Sequence, residues 1–288
     1  MSFWVPGQVG SFVALSDPEG WSLPMSYYYA NVTASDSQNF RYGSRLTAGM
    51  ESTSGFFYFQ PTYAYPQKIS NGQLALGLRF AYGTKMVSAR TDLTTAQTPA
   101  FSNFREDQIT GMSDLSPIVS MKWNEDSKNS LLYFRANLPT GEYKTDRLAN
   151  MGLGRVAFDL GGGATYFDEK KEREYSWVFG MTYNFENPNT DYQSGISAHL
   201  DLASAQFVSD RNFLGLVAYF YEQIGSDTGP GALLGDFKSQ VAGIGPQAGT
   251  FIPAGKKKLL VHFKGYYEFA ASNRPAGWNT WLNVVIPL

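Results

Sequence analysis

The chain has no cysteine and only two histidines, His199 and His262, among 288 residues. The first absence excludes disulfide scaffolds, thiol nucleophiles and cysteine-based metal sites. The second leaves no basis for a transition-metal centre, so neither metal nor cofactor is expected. Charge is scarce as well: Asp, Glu, Lys and Arg make up 17% of the chain, against roughly 25% in ordinary soluble domains. The 23 basic and 25 acidic groups nearly cancel, leaving a net charge of -2. That balance excludes a nucleic-acid partner, which needs clustered basic residues to track phosphates. Long apolar runs are missing too. The longest uncharged stretches, such as Met1–Ser16 and Ser52–Gln67, are broken by Gly, Pro, Gln or Ser and fall short of the roughly 20 apolar residues a spanning helix needs. The start, Met1-Ser2-Phe3-Trp4-Val5-Pro6-Gly7, has neither the basic residue nor the apolar core of a secretory signal. If the protein is exported, this is a mature form with an added start methionine.

Aromatic residues are abundant instead. Phe 21, Tyr 18 and Trp 6 bring the aromatic share to 16%, yet the mean hydropathy is -0.26, so polar and aromatic side chains must be interleaved. The interleaving has a period of two. Leu259, Val261, Phe263, Gly265, Tyr267 and Phe269 fall on one face of an extended segment, with Leu260, His262, Lys264, Tyr266 and Glu268 on the other. Segment 175–185 repeats the pattern, with a large apolar or aromatic residue at every odd position. Such alternation predicts strands with one apolar face. Twelve are predicted, over roughly 21–33, 54–66, 73–85, 112–124, 130–138, 155–167, 173–185, 193–207, 212–224, 239–252, 258–270 and 277–287. Every second connection is tight, and most of the others are long, including 34–53 and a 26-residue loop at 86–111. No second domain is visible.

Two architectures accommodate many alternating strands: a soluble sandwich or lipocalin-like barrel with the apolar face inside, and a transmembrane barrel with that face toward lipid. Strands of 9–15 residues match the roughly 9–11 tilted residues a bilayer requires, while soluble strands average about 5–6. Long loops on one rim and tight turns on the other are the outer-membrane pattern. Aromatics also gather near strand ends, as interfacial girdles would: Trp21, Tyr65, Trp123, Tyr166 and Phe251 toward the tight turns, and Tyr29, Tyr82, Tyr183, Phe185, Tyr221 and Phe269 toward the long loops. The expected fold is therefore an all-β, twelve-stranded antiparallel transmembrane barrel over residues 21–288, a monomer set in outer-membrane lipid and lipopolysaccharide. An even strand number places both termini on the tight-turn, periplasmic side.

Several motifs sharpen the expectation. They include Gly20-Trp21-Ser22-Leu23-Pro24, Pro139-Thr140-Gly141-Glu142-Tyr143, Arg147 to Arg155, Thr182 to Gly195, Gly235 to Gln247 and Asn273 to Asn279. Taken in order, they resemble the MetA-pathway of phenol degradation family of outer-membrane transporters. The resemblance implies a Gram-negative outer-membrane channel associated with the degradation of aromatic or other poorly soluble carbon sources. It implies no enzyme activity.

Residues 1–20 show no strand alternation, yet Phe3, Trp4, Val5, Phe12 and Val13 need burial from water. A twelve-strand barrel is wide enough to hold them, so they are expected in the lumen as a constriction. Strand parity also turns a polar set inward: Arg79, Lys85, Lys122, Arg135 and Lys264 against Asp159, Asp201 and Glu268, with His199, His262, Gln60, Asn137 and Gln247. Such a lumen would be slightly cationic and would favour small organic anions. The alternative is a general diffusion pore for hydrophilic or anionic solutes. Ser197, His199 and Asp201 share a strand face, which raises an outside alternative, an outer-membrane hydrolase using Ser197 and His199. Their spacing of roughly 6.5–7 Å along a strand keeps all three from touching.

Overall fold

The computed structural model describes residues 2–39, 45–94, 101–232, 238–255 and 257–288. Fourteen strands run through them: β1 (Gly20–Asn39), β2 (Arg45–Phe59), β3 (Thr62–Ile69), β4 (Gly72–Thr94), β5 (Phe101–Met112), β6 (Ser116–Glu125), β7 (Lys128–Asn137), β8 (Ala157–Asp168), β9 (Arg173–Asn184), β10 (Ser197–Phe207), β11 (Asn212–Gln223), β12 (Gln240–Ala254), β13 (Lys257–Ser272) and β14 (Ala276–Pro287). They form one antiparallel sheet in which β1 pairs with β14, from Ser22–Pro287 to Thr33–Ala276, and so closes the ring. Two walls of the ring are each made of two strands. β2 and β3 both lie between β1 and β4, and β5 and β6 both pair with β4. The ring therefore has the twelve walls the sequence leads one to expect.

The two breaks have local causes. Pro61 has no N–H to give a neighbour, and around it Gln60 N donates to Pro24 O while Leu78 N donates to Pro61 O. At the second break, Ser113 N donates to Ala81 O and Ala81 N to Ser113 Oγ, which frees Asp114 to turn inward. On the tight-turn rim, Ser70 and Asn71 both have positive φ, at 49° and 63°. That is the primed two-residue turn whose twist suits a hairpin.

The apolar face is outward. On β9, Tyr175, Trp177, Phe179, Met181 and Tyr183 are exposed, whereas Glu174, Ser176, Val178 and Thr182 are buried. A soluble barrel would invert this pattern; lipid on the outside accounts for it. Two of the expected girdle residues belong elsewhere. Tyr221 shares the inward face of β11 with Val217 and Tyr219 and is 5% exposed, and Phe251 packs against Phe12, Phe207 and Phe213. Proximity to a strand end suggested a belt, but parity decides the side.

The expected loops at 34–53 and 86–111 are largely strand. β1 continues to pair with β2 out to Asn39–Arg45, and β4 with β5 out to Leu93–Phe101, although residues 40–44 and 95–100 lie outside the described set. Segments such as Ser88-Ala89-Arg90-Thr91-Asp92 lack an apolar face because above the bilayer both sides of a hairpin meet water. Pairing persists without the hydropathy signal that would reveal it.

Candidate functional site

Residues 2–19 form no strand and lie inside the ring, against inward-facing side chains of ten strands, β4 and β6 to β14. A backbone without regular structure must still find partners when buried, and here the strands supply them as side chains. Trp281 Nε1 donates to Pro6 O at 3.0 Å, and Lys264 Nζ donates to Gly7 O and Val9 O at 2.6 and 2.8 Å. Phe12 N donates to Glu174 at 2.8 Å and Ala14 N to Thr165 Oγ1 at 3.1 Å. Asn124 donates to Ala14 O, Gln73 bonds the Asp17 backbone in both directions, and Lys122 forms an ion pair with Asp17 at 2.9 Å. Gln247 exchanges hydrogen bonds with Ser11 and lies 2.8 Å from His262 Nε2.

Trp4 is almost fully enclosed, at 1% exposure. Its indole stacks on His199 and on Tyr221, with centroids 5.1 and 5.7 Å away, and its N–H donates to Asp201 at 3.2 Å. Val5 packs against the same cluster. Phe3 meets Leu153 and Ala157, Phe12 meets the rings of Phe207, Phe213 and Phe251, and Val13 packs beside Ala14, Leu131 and Val178. Gly7 has φ +72°, and a Cβ there would lie 2.5 Å from the Tyr266 ring. Only glycine fits that position.

His199 sits between two buried carboxylates. Its Nε2 is 3.2 Å from Asp159 and 3.3 Å from Tyr133 Oη, and its Nδ1 is 3.4 Å from Asp201. Gly180 makes room for this, because a Cβ would come within 2.5 Å of both His199 and Tyr133. Among the described residues no hydrogen bond joins Ser197 to His199, and Trp4 covers the imidazole. This arrangement is a structural polar cluster rather than a nucleophile with its base.

Above Trp4, a cavity of about 750 Å3 extends to the long-loop rim, with Ser2–Gln8 as its floor. Five cations line it (Arg79, Lys85, Arg135, Arg155 and Arg274) against two carboxylates, Asp114 and Glu268. Asn137 also lines it, donating to Asp114 at 2.8 Å, and Glu268 accepts from Tyr219 Oη at 2.6 Å. Gln60 sits apart, half-buried at the break between β2 and β3.

The connection from β7 to β8 folds over this cavity. Asp114 accepts from Gly141 N and Leu153 N, both at 2.8 Å. Ala149 and Met151 pack on Val87 and Ile109. Outside the membrane-spanning part, Arg147 clamps Asp107 with Nη2 at 2.8 Å and Nε at 3.1 Å, and Ala149 N joins at 3.1 Å. The Arg147 hydrogen bonds, with help from the Ala149 amide, hold the Asp107 carboxyl well below its ordinary value. A depressed carboxyl stabilises the docked connection above the unfolded value of about 3.9, and that stabilisation is lost as pH falls through the lower folded value. A nitroxide on a Lys144→Cys variant, unique in a chain without cysteine, should therefore report an immobile connection at neutral pH. Mobility should rise only below about pH 4, whereas Asp107→Asn should be mobile at neutral pH already.

Sequence reasoning missed several residues of this interior. Glu174 was legible, because it shares a face with Ser176 opposite the aromatic face of β9. Thr165 and Tyr133 share the inward faces of Asp159 and of Arg135, so parity turns them inward but leaves their partners open, and Gln8, outside any strand, carried no such signal.

Among solved structures, the chain is similar to an outer membrane channel from Pseudomonas putida F1, at 17% identity and a TM-score of 0.70, covering 97% of this chain and 99% of that one. It is also similar to a FadL homologue from Pseudomonas aeruginosa, at 7% identity and a TM-score of 0.49, covering 93% and 89%. At the first of these distances the likeness is one of fold, and it assigns the ring to the outer-membrane type of barrel. No curated protein matches the sequence. The family described as "Putative MetA-pathway of phenol degradation" matches residues 35–284, and the chain belongs to that family.

Proposed function

We propose that this barrel is a bacterial outer-membrane channel through which small, poorly soluble aromatic or hydrophobic organic molecules pass passively, with both termini in the periplasm. The observation that carries the reading is the cavity of about 750 Å3, whose walls combine the rings of Phe3, Trp4, Tyr28, Phe56, Tyr58 and Phe80 with guanidinium groups. Pockets for organic ligands have this composition, apolar and aromatic with a few placed polar groups. The family description, which refers to phenol degradation, agrees with it. Residues 2–19 act as the constriction beneath the cavity, and the inward polar set lines the path around them. No catalytic role is needed for any residue.

A second reading, a diffusion pore for hydrophilic or anionic solutes, draws on the excess of cations in the cavity. Uptake measurements separate the two. In porin-deficient Gram-negative cells, expression of the protein should accelerate entry of radiolabelled naphthalene several-fold. Proteoliposomes containing it should swell in sucrose no faster than protein-free vesicles. Rapid sucrose swelling without faster naphthalene entry would replace the first reading with the second.

A further inference from the structure

Two cations that, among the described residues, form no direct ion pair converge in the floor of the cavity. Arg79 on β4 and Arg135 on β7 each donate Nη1 to one acceptor, Oε1 of Gln8, at 2.9 and 3.0 Å. Nε and Nη2 of Arg135 are buried and have no partner, although the residue is only 6% exposed. Those two atoms form the edge of a guanidinium that grips a carboxylate through two parallel N–H bonds.

No neighbouring carboxylate forms a direct ion pair with either arginine among the described residues. Asp159, opposite Arg135 in the strand register and near enough to attract it, accepts from Thr182 at 2.6 Å and faces His199 through one oxygen, while its other oxygen has no hydrogen bond. Asp114 holds the β7–β8 connection, and Glu268 accepts from Tyr219 Oη and Gly277 N. Taking a cation out of water is costly unless it is paired, and two side by side repel each other. Aromatic faces offset part of that cost: the Phe3 ring lies 4.4 Å from the Arg135 guanidinium, and the Tyr58 ring 4.2 Å from that of Arg79. Contacts to ring faces leave the in-plane N–H groups unanswered. A neutral amide oxygen thus stands between two guanidinium groups, where an anionic oxygen would be bound far more strongly.

We propose that Arg79 and Arg135 form a binding site for the carboxylate of a small aromatic acid, with the Gln8 amide as its resident competitor. One carboxylate oxygen takes the place of Gln8 Oε1 between the two Nη1 groups and the other turns toward the unpartnered Nη2 of Arg135, while the arene lies against the ring-lined wall of the cavity. The side chain of Gln8 has to swing aside, while Trp281 and Lys264 hold the backbone on either side of it. The proposal rests on the reading of the chain as a channel for organic solutes, and it adds a dedicated site for aromatic carboxylates to the cargo that reading allows.

Calorimetric titration of the full-length protein in detergent tests the site. Benzoate should bind, and neutral benzyl alcohol should show no measurable heat. Arg79→Gln and Arg135→Gln should each weaken benzoate at least tenfold. Arg135→Lys, which keeps the charge but loses the fork, should also weaken it and guards against a glutamine variant that fails to fold. Gln8→Ala should tighten benzoate several-fold, which a purely structural role for Gln8 would not produce. Equal binding of benzoate and benzyl alcohol, or unchanged affinity in Arg135→Lys, would overturn the site. Octanoate binding as tightly as benzoate would overturn the aromatic assignment. Faster naphthalene entry without benzoate binding would leave the channel reading standing and remove this inference; benzoate binding without faster entry would do the reverse.

Discussion

Deleting residues 2–19 is expected to raise single-channel conductance several-fold. The segment fills the lumen beneath the cavity: Phe12 is wedged among Phe207, Phe213 and Phe251, and Ala14 packs with Leu131, Tyr133 and Val178. The strand ladder does not depend on it, since every wall of the ring pairs with its neighbours and β1 closes on β14. Without the segment, the side chains that now serve its backbone, Glu174, Lys264 and Thr165 among them, would meet water instead, which satisfies them equally well. The ring should therefore still fold, and planar-bilayer recordings should read a wider pore rather than a damaged one. Unchanged conductance would show that the resistance lies above the segment, in the connection between β7 and β8 that folds over the mouth.

The second large effect is expected at Trp4. Truncating a fully enclosed tryptophan to alanine typically costs about 3–5 kcal/mol, and here the loss falls on the docking of the segment rather than on the strands. Trp4→Ala removes the stacks on His199 and Tyr221 and leaves Asp201 Oδ2 without the indole N–H. The Phe12 and Ala14 amides, bonded to Glu174 and Thr165, report the result. Their hydrogen exchange should accelerate by roughly two to three and a half orders of magnitude, as local opening becomes cheaper by that energy. Trp4→Phe keeps a ring in the stack and loses only the donor, worth about 1–3 kcal/mol when a buried acceptor is left unmet, so its effect should be intermediate. Unaltered exchange in Trp4→Ala would mean that Lys264, Trp281 and Glu174 hold the segment without it.

Much of the fold could be read from residue order because a membrane barrel writes its walls into a period of two. On β9 that alternation alone separates Trp177, toward lipid, from Ser176, toward the lumen. It also turns Arg79, Arg135, Asp159, His199 and Lys264 inward. It fails where its physical cause ends. Above the bilayer the hairpins of β1–β2 and β4–β5 are wet on both faces, so 34–53 and 86–111 read as loops while the described parts of their backbones remain paired. At Tyr221 and Phe251 parity turns the ring into the lumen although both lie near strand ends, where an interfacial belt would otherwise be expected.

What the sequence determined by itself is therefore the ring: twelve walls, a lipid-facing apolar surface, a polar interior, and an amino-terminal stretch too apolar to remain in water. Tertiary structure alone decided the partners within that interior. Parity states that a side chain points inward, but not which side chain it meets across a lumen enclosed by strands distant in the chain. That Gln8 would hold Arg79 and Arg135 together, that Trp4 would lie on His199, and that Asp114 would fasten the β7–β8 connection depend on the stagger and closure of the ring. These are long-range properties, fixed only when β14 meets β1.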